Sequence, residues 1–371
     1  MAEKILKIKP LDPMMDWNLR LMNVPAAWEY ATGDGVVVGL IDTGLDITHA
    51  DLGWTGGEQI TGNDSVTVIK QKYEKALSAV IDGKHPTVLP GYNFVDENLN
   101  ICDVYFQRHA TYLAGTIAAV PNDFGTVGVA PYAKIRPYVV INPNGTGKSE
   151  HIAAAIIRAV DDACDVINIS LVSWPDDDVT SALKYAINKK CIPVLPTGND
   201  NKNYIRFPAS TKHGVVVGGC NAAGGRWVHN LLIGSEGSNY GDGMLCLTPG
   251  ASQVSLDTWR SRFTKAEGTS QSVANMSGIV ALIKSLKPEY GLTQINQLIA
   301  QNCTRAESTL EEGYGIPDVG RMIAALKPKP VEDWQKSLNE LQKIADGLLD
   351  TSIEVTGLVT KLRNEIASTA Y

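Results

Sequence analysis

Short runs of apolar, mostly β-branched residues recur along the chain, at 36–41 (VVVGLI), 166–172 (VINISLV), 191–196 (CIPVLP) and 215–219 (VVVGG). Their length and lack of polar alternation mark strands buried on both faces. Between them lie stretches with helical spacing, SEHIAAAIIRAVDDA at 149–163 and DDVTSALKYAINKK at 177–190. Such alternation predicts an α/β protein with a mainly parallel central sheet flanked by helices. In sheets of this kind ligands collect beyond the carboxyl ends of the strands, so residues just after each run are the candidates for chemistry.

Residues 54–90 interrupt the rhythm. A Gly-rich entry leads to SVTVIKQKYEKALSAVID at 65–82, where Val66, Ile69, Tyr73, Ala76, Leu77 and Val80 share one helical face. The pattern predicts a surface helix packed on the domain. KPKP at 327–330 reads as a linker. Beyond it Trp334, Leu341, Leu348, Val355 and Leu362 recur every seventh residue, with Gly347 and Gly357 weakening the heptads. The extension 331–371 is expected to be helical, either folded back on its own domain or forming a coiled coil for self-association or partner binding.

At 371 residues, with 44% hydrophobic and 20% charged residues, the chain has the make-up of a globular protein with one large domain and an appendage. The formal charge of −7 and the lack of a basic block argue against nucleic-acid and anionic-membrane binding. No stretch approaches the roughly 18 uninterrupted apolar residues of a membrane span, and the N-terminus lacks an apolar core of signal-peptide length. A cytoplasmic location is the expectation. Cys102, Cys164, Cys191, Cys220, Cys246 and Cys303 show no CxxC spacing, which predicts reduced, mostly buried thiols without disulfide or zinc.

Four positions stand out. Asp42 closes the first apolar run in LIDTGLD, His109 opens a helix of small residues in QRHATYLAGT, and Asn199 follows a glycine after a strand in LPTGND. Ser270, in EGTSQSVANMSGIVALI, begins a stretch with almost no polar face, hence a buried helix. By itself Ser270 reads as an N-cap. The same place, beside unpaired N–H groups at the positive end of a helix, also suits a nucleophile whose reaction passes through an anion. A nucleophilic serine needs a positioned base, which makes Asp42 and His109 its natural complement.

Taken in order, DTG, HATYLAGT, SLVS, TGND and GTSQS resemble the subtilisin-like serine proteases, peptidase family S8, across residues 12–326. The resemblance implies a subtilisin-like three-layer fold and a serine endopeptidase acting through an acyl-enzyme. It assigns Ser270 as nucleophile, His109 as general base and then acid, and Asp42 as the residue orienting the imidazole. Asn199 and the Ser270 N–H would hold the oxyanion. Ser270 is thus read as cap and nucleophile together.

The resemblance also supplies a cleft for a peptide or protein substrate, bound by strand addition between Gly145-Thr146-Gly147 and Ser170-Leu171-Val172. Val172 and Ser173 replace usual glycines and narrow the S1 entrance. Ala110, Tyr112 and Ala274 are further departures, none of which removes a catalytic group. Aligning Pro208 with the family proline puts Arg206 near the pocket floor, favouring acidic or small P1 residues; the alternative is pairing with Asp200 at the rim. A structural Ca2+ site is implied through Asp12, Asp51 and the loop carrying Val120, Asn122, Phe124 and Thr126, all hard oxygen donors.

Residues 1–11 are too few for the usual folded inhibitory propeptide, so self-inhibition is expected to use a short segment such as KILKIKPLD. The 54–90 insertion is similar in position and helicity to the inserts of peptide macrocyclases. A leader-removing or macrocyclising enzyme using the same acyl-enzyme is therefore the alternative to the endopeptidase, and a peptide-binding pseudoprotease is the rival of another class.

Overall fold

The structure, a computed structural model, describes residues 15–326 except 62, 104–106, 230–235, 259–261, 305 and 307. The chain divides into two units at Leu326/Lys327. The N-terminal segment 1–11, Asp12 and the extension 331–371 lie outside the described residues.

Among the described residues the strands are β1 (Val37–Asp42), β2 (Tyr92–Asn93), β3 (Lys134–Val139), β4 (Val166–Ile169), β5 (Ile192–Pro196), β6 (Val215–Cys220), β7 (Val228–His229), β8 (Glu236–Gly237), β9 (Cys246–Pro249), β10 (Gln253–Leu256) and β11 (Phe263–Ala266). The helices are α1 (Trp17–Leu21), α2 (Val24–Ala27), α3 (Val66–Ile81), α4 (His109–Ala118), α5 (Ser149–Asp161), α6 (Asp177–Asn188), α7 (Thr269–Leu286), α8 (Leu292–Gln301), α9 (Thr309–Glu312) and α10 (Val319–Ala324).

Seven strands form one sheet in the order β2-β3-β1-β4-β5-β6-β9, with every pairing parallel. Successive side chains leave a strand on opposite faces. Val38 and Leu40 enter one core while Ile41 enters the other, and Val215 and Val217 are likewise parted from Val216. One core is closed by α5 and α6, through residues such as Ile156 and Leu183. The other holds α4 and α7, with Leu113, Val273 and Ile279. The three-layer α/β arrangement expected from the apolar runs is what forms. Three strands of this sheet escaped that reading, since KIRPYV is broken by charge and proline while the edge strands YN and CLTP are only two and four residues long.

The insertion forms the expected helix α3, with Ser65 Oγ capping it by accepting from Val68 N. Ile69, Tyr73, Ala76 and Val80 are buried, but Val66, placed on the same face in sequence, is 70% exposed because it sits in the unpacked first turn. The ends of the insertion meet where Trp54 stacks on His85, with 5.6 Å between ring centroids. Tyr73 OH reaches Asp103 O at 3.4 Å, and Asp103 in turn accepts from Gln107 N and Arg108 N at 3.0 and 2.8 Å. The insertion thus braces the turn leading into α4. All six cysteines are thiols, five of them buried.

Candidate active site

Asp42 is the last residue of β1, wholly buried, and His109 is the first residue of α4. Arg108, in the left-handed region at φ 66°, turns the chain into that helix. His109 Nδ1 donates to both Asp42 oxygens, at 2.8 and 2.9 Å, and Thr43 N donates to Oδ1 at 2.7 Å. Thr43 Oγ1 accepts from Ala110 N at 3.1 Å, which locks the end of β1 to the start of α4. Burial works to lower the His109 pKa, but the carboxylate and its hydrogen bond outweigh this and raise it above the ordinary value of 6.5. With Nδ1 committed to Asp42, Nε2 is the nitrogen left to exchange a proton.

Ser270 lies in the second position of α7, and Gly268, not Ser270, is the N-cap. The expected cap bond is therefore absent and the serine hydroxyl is spared that task. It donates to Ser170 O at 3.4 Å, while Ser170 Oγ donates to Ser270 O at 3.3 Å. No hydrogen bond joins Ser270 to His109, an arrangement common before substrate aligns the pair. The Ser270 N–H belongs to the first turn, where amides lack intrahelical acceptors.

Asn199 Oδ1 accepts from both Thr269 N and Thr269 Oγ1, at 2.9 and 2.8 Å. This ties Asn199 to the turn that presents Ser270 and leaves the amide NH2 as the outward donor. Gly268 has φ 137°, and a Cβ there would lie 3.2 Å from Asn199 Nδ2 and from Gln271 Oε1. Only glycine allows the chain to pass so close to these groups at the start of the helix that carries Ser270.

A cleft of two chambers runs across the carboxyl ends of the strands. The larger, about 800 Å³, contains Asp42 and His109 between Gly145, Thr146 and Gly147 on one side and Ser170, Leu171 and Val172 on the other. The smaller, about 230 Å³, contains Ser270 and Asn199. Ser170, Val172 and Arg206 line both. Arg206 is on the wall as expected, but its fork is taken: Nε and Nη2 bond to Asp200 at 2.7 and 2.5 Å. Arg206 drives the Asp200 pKa well below the carboxylate range, and Asn239 and Tyr204 add to it. Of the two placements open in the sequence, the pairing with Asp200 at the rim is the one that forms, so the guanidinium is not free for a substrate carboxylate. Trp174 and Gln107 also line the larger chamber, and sequence reasoning missed both. A tryptophan next to proline in the polar stretch SWPDDD was the available signal.

Asp51, Val120, Asn122, Phe124 and Thr126 come together around a buried carboxylate. Asp51 Oδ1 accepts from Asn122 Nδ2 at 3.1 Å and Oδ2 from Thr126 N at 3.0 Å, while Asn122 Oδ1 accepts from Phe124 N at 2.9 Å. The donor set, carboxylate, amide and main-chain oxygens, suits calcium in kind. Turning the Asn122 amide about its axis is required to present its oxygen beside Asp51. Among the described residues no three His, Cys, Asp or Glu side chains cluster in a manner able to hold a metal. No helix among them is long and apolar enough to cross a membrane.

Compared with known proteins, residues 33–316 match the subtilase family, Peptidase_S8. A thermophilic serine proteinase of Bacillus sp. (strain AK1) is 30% identical over 286 residues, 76% of this chain, which spans 60% of that relative's length. Subtilisin Savinase of Lederbergia lenta is 27% identical over 302 residues, covering 81% of this chain and 95% of its own. The intracellular serine protease of Paenibacillus polymyxa is 27% identical over 314 residues, covering 81% and 83%. Among solved structures, a protease from Pseudoalteromonas arctica PAMC 21717 aligns with TM-score 0.68 at 27% identity, over 86% of this chain and 99% of that one.

Proposed function

The chain belongs to the subtilase family of serine proteases, and from that premise we propose that it cuts peptide bonds through an acyl-enzyme on Ser270, with His109 and Asp42 completing the triad. The observation that carries this reading is the two-pronged hold of Asp42 on His109 Nδ1, in a cleft whose adjoining chamber contains Ser270 and Asn199. In this reading the Ser270 hydroxyl exchanges its contact with Ser170 O for one with His109 Nε2. Its oxygen then attacks the substrate carbonyl, and Nε2 accepts the proton. The Asn199 NH2 and the Ser270 N–H receive the negative charge on the former carbonyl oxygen. Nε2 returns the proton to the leaving nitrogen, and water or an amine resolves the ester. The 145–147 and 170–172 segments flank the path of the substrate backbone.

The neutral pairing of Arg206 with Asp200 favours a small P1 side chain over a strongly acidic one. We further propose that the Asp51 loop holds a structural Ca2+ through Asp51, Asn122 and the carbonyls of Val120, Phe124 and Thr126, with Asp12 as a further ligand. A cytoplasmic setting is supported by the six unpaired thiols and the similarity to an intracellular protease. Incubation with a defined peptide library, read by mass spectrometry, tests the reading. Internal cleavage with addition of water is expected; ligated or cyclic products alone would favour the macrocyclase alternative, and unchanged peptides would contradict both.

A further inference from the structure

Glu267 stands three residues before Ser270 and directly before the cap of α7, and takes no part in the proposed chemistry. Its carboxylate gathers three donors. Oε2 accepts from His229 Nδ1 at 2.6 Å and from Trp227 Nε1 at 3.3 Å, and Oε1 accepts from Ser252 Oγ at 2.6 Å. Burial works to raise the Glu267 pKa, but the bonds from Ser252 and His229 outweigh it and hold the group below the ordinary 4.5, so it is ionised near neutral pH. The far ends of these bonds are fixed. Trp227 is buried and its N–H donates to Gly219 O of β6 at 2.7 Å, while Ser252 leads directly into β10. The next link in the chain is the least rigid residue type, Gly268 at φ 137°, whose N–H donates to Gly250 O at 2.7 Å. Then comes Thr269, whose N–H and hydroxyl both donate to Asn199 Oδ1.

We propose that Glu267 is a positioning residue for the oxyanion site: its three-way hold stiffens the glycine-hinged turn, so that Thr269 keeps the Asn199 NH2 aimed at the substrate carbonyl. The proposal rests on the reading of Asn199 as an oxyanion donor. Such a donor is effective only when it is aimed in advance at the place where charge develops. Released at Glu267, residues 267–269 are free to move about Gly268, and Asn199, whose Oδ1 accepts from Thr269, moves with them. The hold is local in its effect. The Glu267 and His229 side chains remain 29% and 58% exposed, and ion pairs so open to water contribute little to overall stability. A loss of turnover without a matching loss of stability is therefore its signature. Hydrogen bonding is what fixes the turn, and a glutamine in this place can still bond Ser252 and His229 through its amide.

The test measures kcat and KM of the full chain on one peptide that it cleaves, for Glu267→Ala, Glu267→Gln, Ser252→Ala, Asn199→Ala and the double variant Glu267→Ala/Asn199→Ala, each well below its melting transition. Glu267→Ala is expected to lower kcat about tenfold, part of the 10²–10³ that removal of an oxyanion donor costs, with KM and melting temperature little changed. Ser252→Ala, which removes one of the three bonds, should show a smaller loss of the same kind, and Glu267→Gln should retain most of kcat. In the double variant the Glu267 change should cost little beyond Asn199→Ala, because the group it positions is gone. Unchanged kcat in Glu267→Ala and Ser252→Ala, a loss carried by KM, a glutamine variant as slow as the alanine one, or losses that multiply in the double variant would overturn the proposal. Should Glu267→Ala fail to fold, Ser252→Ala, alone and with Asn199→Ala, decides by the same criteria. Undiminished kcat in Asn199→Ala, or no cleavage by the unaltered chain, would instead overturn the reading of the site on which the proposal stands.

Discussion

The imidazole of His109 is subject to opposing influences: burial disfavours its charge, while the Asp42 carboxylate at 2.8 Å favours it more. A base works only when neutral, so a raised pKa moves the loss of activity upward in pH. The acid limb of kcat/KM is expected to have its midpoint above 6.5, and activity to fall as pH drops through it. A midpoint at or below 6.5, from a pH profile on one small substrate, would contradict the pairing seen here. Asn199, the proposed side-chain donor to the oxyanion, spends its other end on Thr269. Asn199→Ala is expected to lower kcat by about 10²–10³ with KM nearly unchanged, the usual loss for one such donor. Steady-state kinetics on the purified variant would show it. At this scale the four candidate residues were legible in sequence because each sits at a strand end, after a glycine or in the first turn of a helix. The cap assignment of Ser270 was not, because a glycine at φ 137° took that place and left the serine two positions past the cap, inside the first turn. The Asp200–Arg206 pair was visible only as one of two alternatives, since sequence spacing does not determine the path of an irregular loop.

The elements that carry these residues are held by buried polar bonds as well as by apolar packing. Asn275, wholly buried in α7, donates to Gln253 Oε1 at 2.7 Å and accepts from Asn18 Nδ2 at 3.1 Å, linking the catalytic helix to β10 and α1. Such long-range polar contacts leave no periodic trace, unlike the parallel strands, whose burial on both faces writes continuous apolar runs. The Asp51 loop is the element most open to test. Gly125 has φ 61°, and a Cβ on it would fall 2.0 Å from Asp51 Oδ2, so the loop is shaped tightly around that carboxylate. Calcium is expected to raise the melting temperature and chelation to lower it by several degrees, as binding to the folded state alone requires. Asp51→Ala should abolish the response. A melting temperature indifferent to both, measured by calorimetry, would mean that the internal hydrogen bonds suffice.

Across the whole molecule the two cores on either side of the sheet belong to the unit ending at Leu326, and the catalytic candidates all lie within it. Deleting 331–371 is expected to leave peptide cleavage unchanged while altering self-association, read by light scattering; a truncated protein that fails to fold would assign the extension to the domain. The proposed chemistry turns on one oxygen atom, Ser270 Oγ, in the chamber adjoining the His109–Asp42 pair at the carboxyl edge of a parallel sheet. Its most direct measurement is reaction with a fluorophosphonate followed by peptide mapping. A single adduct on Ser270 is expected, lost in Ser270→Ala and strongly slowed in His109→Ala; an unlabelled protein, or a label on another residue that survives Ser270→Ala, would contradict the triad.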